Sequence, residues 1–350
     1  LLYFKNVCLE GLATHLPNNI VTSEDLEKRL SPIYDSLKLP YGRLEMMTGI
    51  KERRFWNNGV SPSEVATKAG EKAINNSGVD RLKIGCLINA SVCRDFLEPA
   101  TASLVHHNLK LQHNALVFDI SNACLGVLNG MVHVANMIEL GQIKAGLIVA
   151  GENGGPLVDA TIKSILSRPD ITRNEIKGSF ASLTIASAAV GILLVHKDLS
   201  QYRHRLLGGY GQTASQFNHL CRGTDASELG TNNWMPLMKT DAETMMHEGC
   251  KLAGATWAMT KSVLGWTNTD VNRFFCHQVG HMHRKLLYET LAIDLDKDFS
   301  TLEYLGNTGA SSLPCGLALG AEKGSLNKGD KVALLGIGSG LNSLMLGLEW

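Results

Sequence analysis

The 350-residue sequence has no excess of either charge: Lys plus Arg and Asp plus Glu number 33 each. That balance removes the broad electrostatic footprint of a nucleic-acid-binding protein. Proline is scarce, at 9 residues, and no short repeat is visible, so a solenoid is excluded. No apolar run approaches the roughly 20 residues that span a bilayer, and residues 1–6 (LLYFKN) lack a signal-peptide layout. The eight cysteines are scattered, with no C-x-x-C pair. In a chain this long they read neither as a disulfide framework nor as a zinc site. Free thiols fit a reducing compartment. The expectation is a soluble, cytoplasmic protein with no membrane span, nucleic-acid partner or metal.

What is present is glycine, at 35 residues, and short apolar runs alternating with helical patterns. Residues 84–90 (IGCLINA), 115–120 (ALVFDI), 145–150 (AGLIVA), 188–195 (AAVGILLV), 273–278 (RFFCHQ) and 331–336 (KVALLG) read as buried strands. Residues 61–77 open with Ser-Pro and carry Glu64 in the first turn, which marks a helix N-terminus. Residues 124–140 place Leu125, Leu128, Val132, Ala135 and Ile138 on one stripe. Residues 241–264 are a further long helix. This alternation predicts an α/β fold with parallel or mixed sheets. The strand-to-helix junctions at 119–126 and 276–283 resemble one another, which points to two similar halves, 1–175 and 176–350. Residues 199–240 read as a polar surface excursion.

Three positions carry candidate chemistry. Cys124 sits in Ser121-Asn122-Ala123-Cys124-Leu125-Gly126, between a strand and a helix. Main-chain N–H groups and the helix dipole favour negative charge there, so a lowered thiol pKa is expected. The bland alternative is an inert core cysteine. His277 ends its strand, and its bland alternative is a satisfied core histidine. His281 and His283 are near, but no acidic or cysteine ligand is spaced to complete a metal site. Asn307 lies in Gly306-Asn307-Thr308-Gly309, which taken alone is a turn. The glycine loop 336–342 (GIGSGLN) lacks the Lys-Ser/Thr ending of a phosphate loop. It is open enough for a main-chain N–H to approach a substrate carbonyl.

Taken in order, residues 48–54 (TGIKERR), Asn122-Ala123-Cys124, His277-Gln278, Gly306-Asn307-Thr308 and the glycine loop resemble the thiolase superfamily, specifically its ketoacyl synthase III group. The resemblance runs through the whole chain. It implies a thiolase fold of duplicated βαβαβαββ halves in five αβαβα layers, a homodimer, and no permanently bound cofactor. The first half would carry the nucleophile, and the second the histidine, the asparagine and the glycine loop. Residues 91–103 (SVCRDFLEPATAS) further resemble the branch of this group that joins two acyl-CoA molecules at the start of head-to-head hydrocarbon synthesis. In that branch a glutamate of the L-E-P stretch reaches into the partner subunit's active site, and Glu98 stands at its position. Ordinary members of the group carry an aromatic residue there. Met47 departs from the group, which often has arginine before T-G-I at a CoA contact.

The resemblance implies Claisen condensation. Cys124 takes the acyl group of an acyl-CoA (or an acyl-carrier-protein thioester) as a covalent intermediate. The N–H groups of Cys124 and Gly340 form the oxyanion hole. His277 and Asn307 stabilise an enolate of the second thioester, and Glu98 removes its α-proton. The product is a 2-alkyl-3-ketoacid. A first alternative is an ordinary 3-oxoacyl-[acyl-carrier-protein] synthase III, which decarboxylates malonyl-acyl carrier protein and needs no base. A second moves an acyl group to an amine or alcohol, and a third is a non-catalytic subunit of a condensing pair. The coexistence of Cys124, His277 and Asn307 argues against the last two.

Overall fold

The apolar runs become the strands of one mixed sheet in the computed structural model, which describes residues 1–223 and 235–350. The strands are β1 (Val7–His15), β2 (Ile84–Asn89), β3 (Leu116–Asp119), β4 (Ala145–Glu152), β5 (Ala188–His196), β6 (His204–Thr213), β7 (Arg273–Cys276), β8 (Lys331–Gly338) and β9 (Asn342–Glu349). They lie in the order β3-β2-β4-β5-β1-β6-β9-β8-β7. Strands β4, β5 and β8 are almost wholly buried, as expected of strands covered on both faces.

The pairing repeats. In the first half β2 runs parallel to β4, β4 antiparallel to β5, and β5 antiparallel to β1. In the second, β7 runs parallel to β8, β8 antiparallel to β9, and β9 antiparallel to β6. The two sets meet through a short antiparallel contact, Cys8 opposite Arg205 and Leu9 opposite His204. The outer β3 has only a remnant in the second half, a bridge between Phe274 and Asp298. A division at 175/176 would separate β5 from the strands it pairs with, so we place it instead between β5 and β6.

Helices α1 (Pro62–Ser77), α2 (Thr101–Asn108), α3 (Gly126–Glu139), α4 (Ala242–Leu264), α5 (His281–Leu291) and α6 (Ser312–Glu322) fill the remaining layers. One core joins α3 and α6 to both sets of strands, through Leu128, Met131, Ile148, Val190, Leu317, Leu334 and Leu346 among others. A second lies between the first set and α1 and α2, and a third between the second set and α4 and α5. The layers are therefore αβαβα, as the resemblance implied.

Two further readings of the sequence change. Residues 204–213 are not a surface excursion but β6, a strand inside the sheet. Four of its ten residues are Gly or Gln, so no apolar run marked it. Residues 224–234 of the same stretch lie outside the described residues. The junction at 276–283 is also not the counterpart of 119–126. By its pairing β7 corresponds to β2, whereas the Asp298 remnant corresponds to β3. The counterpart of Cys124 followed by α3 is Asn307 followed by α6. Among the described residues no helix is long and apolar enough to cross a membrane.

Candidate active site

Cys124 lies in a turn between β3 and α3. The turn is tight: Ala123 adopts a positive φ of 44°, which costs a non-glycine residue about 1 kcal/mol or more. Polar bonds hold it. Leu125 N–H donates to Asn122 O at 2.9 Å, and Asn122 Nδ2 donates to Asn129 Oδ1 at 2.7 Å. Gly126 opens the helix because a Cβ there would lie 2.2 Å from Ala90 O. The glycine loop of the second half closes over this turn. Asn342 Nδ2 donates to Asn122 Oδ1 at 3.2 Å, and Thr213 Oγ1 donates to Asn342 Oδ1 at 2.7 Å. A Cβ on Gly338 would sit 3.6 Å from Cys124 N, so the loop packs against the nucleophile's own amide. Gly340 has a φ of 135°, a conformation left to glycine, and its N–H has no acceptor among the described residues.

His277 follows β7. Its N–H donates to Leu335 O at 3.2 Å, beside the start of the glycine loop. Gln278 Oε1 accepts from Ser300 Oγ at 2.9 Å and Thr301 N at 3.1 Å, which fixes the strand end. The His277 ring is buried and its Nδ1 has no partner. Burial, helped by nearby His283, pushes its pKa down to about 3, so the imidazole is neutral at pH 7. Asn307 is buried and its main chain is pinned: its N–H donates to Thr184 O at 2.9 Å, and its carbonyl accepts from Ala186 N at 2.8 Å. Its Oδ1 accepts from Gly309 N at 3.1 Å. That bond leaves the NH2 end of the side chain to donate.

Burial overturns the expectation for the nucleophile. Its pKa is not lowered but pushed up to about 12, chiefly by burial, then by the Glu152 carboxylate and by Cys221. Desolvation of the thiolate outweighs the helix terminus. Cys124 therefore rests as a thiol. Its alkylation by iodoacetamide, followed by peptide mass spectrometry, should keep rising from about pH 7 to about pH 10. A plateau near neutrality would show that the helix terminus sets the thiol instead.

Glu152 is the residue that sequence reasoning missed. It ends β4 and is 3% exposed. The available signal was a carboxylate closing an otherwise apolar, buried strand. It lies within electrostatic reach of Cys124 and binds the Asn307 loop through Ala310 N at 3.2 Å. Cys124, Asn307 and the glycine loop are thus gathered where the halves meet, with His277 at the loop's base. Glu98 is different. It is solvent-exposed and makes no hydrogen bond or ion pair among the described residues. It sits on an arm, residues 92–99, that also exposes Val92, Phe96 and Leu97. Asp95 of that arm caps α1, accepting from Ser63 N at 2.8 Å. Among the described residues no cluster of three or more His, Cys, Asp and Glu side chains is arranged to hold a metal.

Comparison with known proteins places the chain among acyl-condensing enzymes. Residues 118–167 match the family described as 3-oxoacyl-[acyl-carrier-protein (ACP)] synthase III, and residues 262–350 match its C-terminal family. The chain is 41% identical over 350 residues to the acyl-CoA:acyl-CoA alkyltransferase of Shewanella oneidensis, covering 99% of both. It is 27% identical over 348 residues to the β-ketoacyl-[acyl-carrier-protein] synthase III of Koribacter versatilis, covering 98% of this chain and 97% of that protein. The crystal structure of a Xanthomonas campestris OleA variant with bound lauric acid and lauroyl-CoA superposes with a TM-score of 0.92. It is 37% identical and covers 99% of this chain and 100% of that one.

Proposed function

The chain belongs to the acyl-CoA:acyl-CoA alkyltransferase family within the 3-oxoacyl-[acyl-carrier-protein] synthase III group, and from that premise we propose how its residues condense two fatty acyl-CoA molecules. The enzyme is an acyltransferase working through a cysteine acyl-enzyme. Cys124 Sγ attacks the first thioester, the C–S bond to CoA breaks, and the thiol proton leaves with CoA. No net base is needed, so a thiol held protonated by burial is compatible with this step. The N–H groups of Cys124 and Gly340 receive the oxyanion; losing one such donor typically costs about 3–4 kcal/mol of transition-state stabilisation.

In the second half-reaction the NH2 of Asn307 and the neutral imidazole of His277 donate to the second thioester's oxygen. The Glu98 carboxylate of the partner protomer removes the α-proton. The enolate carbon attacks the acyl-enzyme carbonyl, the C–S bond to Cys124 breaks, and hydrolysis of the remaining thioester gives a 2-alkyl-3-ketoacid. The working unit is a homodimer in the cytoplasm, with no resident cofactor. What supports this reading is the convergence of Cys124, Asn307 and the glycine loop between the halves, with Glu98 carried outward on an arm that also exposes Phe96 and Leu97.

The test is incubation of the purified protein with a long-chain acyl-CoA alone. Two CoA released per ketoacid, or per the ketone it decarboxylates to, is the expected result. Release of one CoA per site, with turnover resuming only on addition of malonyl-acyl carrier protein, would make the enzyme an ordinary initiating synthase.

A further inference from the structure

Glu152 is held by main-chain N–H groups. Its Oε1 accepts from Val92 N at 2.9 Å and from Ala310 N at 3.2 Å, and its Oε2 accepts from Cys93 N at 3.1 Å. No Lys or Arg pairs with it among the described residues. Burial of this carboxylate is costly and raises its pKa, and the three main-chain donors offset part of that cost. Its partners belong to two different pieces of chain. Val92 and Cys93 are the root of the arm that carries Glu98. Ala310 follows Asn307 by three residues, and Gly309, which donates to Asn307 Oδ1, is so close that a Cβ on it would lie 3.3 Å from the Glu152 carboxyl carbon.

We propose that Glu152 is a positioning residue for the condensation half-reaction, fixing the Asn307 amide and the root of the Glu98 arm in one frame. The inference rests on the roles given above to Asn307 and Glu98. Each Glu152 would then set the enolate donor of its own site and the base delivered to the partner's site. The nucleophile turn does not depend on it in the same way. That turn is held by Asn122, Asn129 and Asn342. Removing the Glu152 charge should, if anything, ease ionisation of Cys124.

The test separates the two half-reactions in Glu152→Gln. The glutamine keeps the shape, but its NH2 cannot accept, so one pinned N–H group loses its partner. The first CoA should be released at the wild-type rate or faster, with one acyl group on Cys124. Ketoacid formation should fall roughly ten- to a hundredfold, the scale of a misplaced reacting group. If this variant does not fold, Glu152→Asp, which keeps the charge on a shorter arm, is read the same way. Equal loss of both half-reactions, or no loss of condensation, would overturn the proposal. Wild-type protein is run alongside. If it makes product only with a malonyl thioester, the assignment of Glu98 as base fails, and the same comparison with that substrate still tests Glu152 through Asn307.

Discussion

Replacing Cys124 with alanine should cut CoA release from a long-chain acyl-CoA by at least about a thousandfold, because no acyl-enzyme can form. The fold should survive. The turn is set by Asn122, Asn129, Asn342 and the close approach of Gly126 to Ala90, none of which needs the Cys124 sulfur. Binding of acyl-CoA should therefore persist, and calorimetry should show an affinity within a few-fold of wild type. Intact-mass measurement should find wild type heavier by one acyl group after mixing, and the variant unchanged. Continued CoA release by the variant would point to another nucleophile. Cys221 would be the first suspect, since it lies close enough to influence the Cys124 thiol.

The site was legible in the sequence to different depths. Cys124, His277 and Asn307 stood out because short, specific motifs surround them, and the structure puts each at a strand end or in a loop. The thiol's ionisation was not legible. It turns on burial and on Glu152, which lies 28 residues along the chain and meets Cys124 only through the fold. Glu152 itself had no motif. Its role is defined by N–H groups from residues 92, 93 and 310, and such a long-range convergence leaves no periodic trace. The same holds for Asn342, which reaches Asn122 from the other half and is itself held by Thr213. Among the elements, fully buried strands were easy to read because burial on both faces demands unbroken apolar runs. Strand β6 was not, because its Gly208 and Gly209 accept close neighbours instead: a Cβ on Gly209 would lie 1.9 Å from Met345 O. The repeat was visible as an idea, but its alignment needed the pairing of strands. Only that pairing shows Asn307, rather than His277, standing where Cys124 stands in the other half.

Glu98→Gln is expected to leave the first CoA release intact and to slow ketoacid formation by roughly a hundred- to ten-thousandfold, the range attributed to a positioned general base. The glutamine matches the carboxylate in size, so apolar packing of the arm is kept while basicity is removed. The more telling measurement uses mixed dimers. Glu98 is exposed on its own protomer, beside Phe96 and Leu97, which are 54% and 76% exposed. Exposed apolar side chains of that kind fit the proposed homodimer, in which a second copy would cover them. Co-expressing Cys124→Ala chains with Glu98→Gln chains gives mixed dimers in which one site has Cys124 from one chain and Glu98 from the other. If the base acts across the interface, two inactive variants should together recover roughly a quarter of wild-type activity, since half of the dimers are mixed and one of their two sites is complete. If Glu98 serves its own protomer, the mixed dimer has no complete site and activity stays at the level of the separate variants. The two arrangements thus differ by a gain of function, which loss of folding cannot imitate.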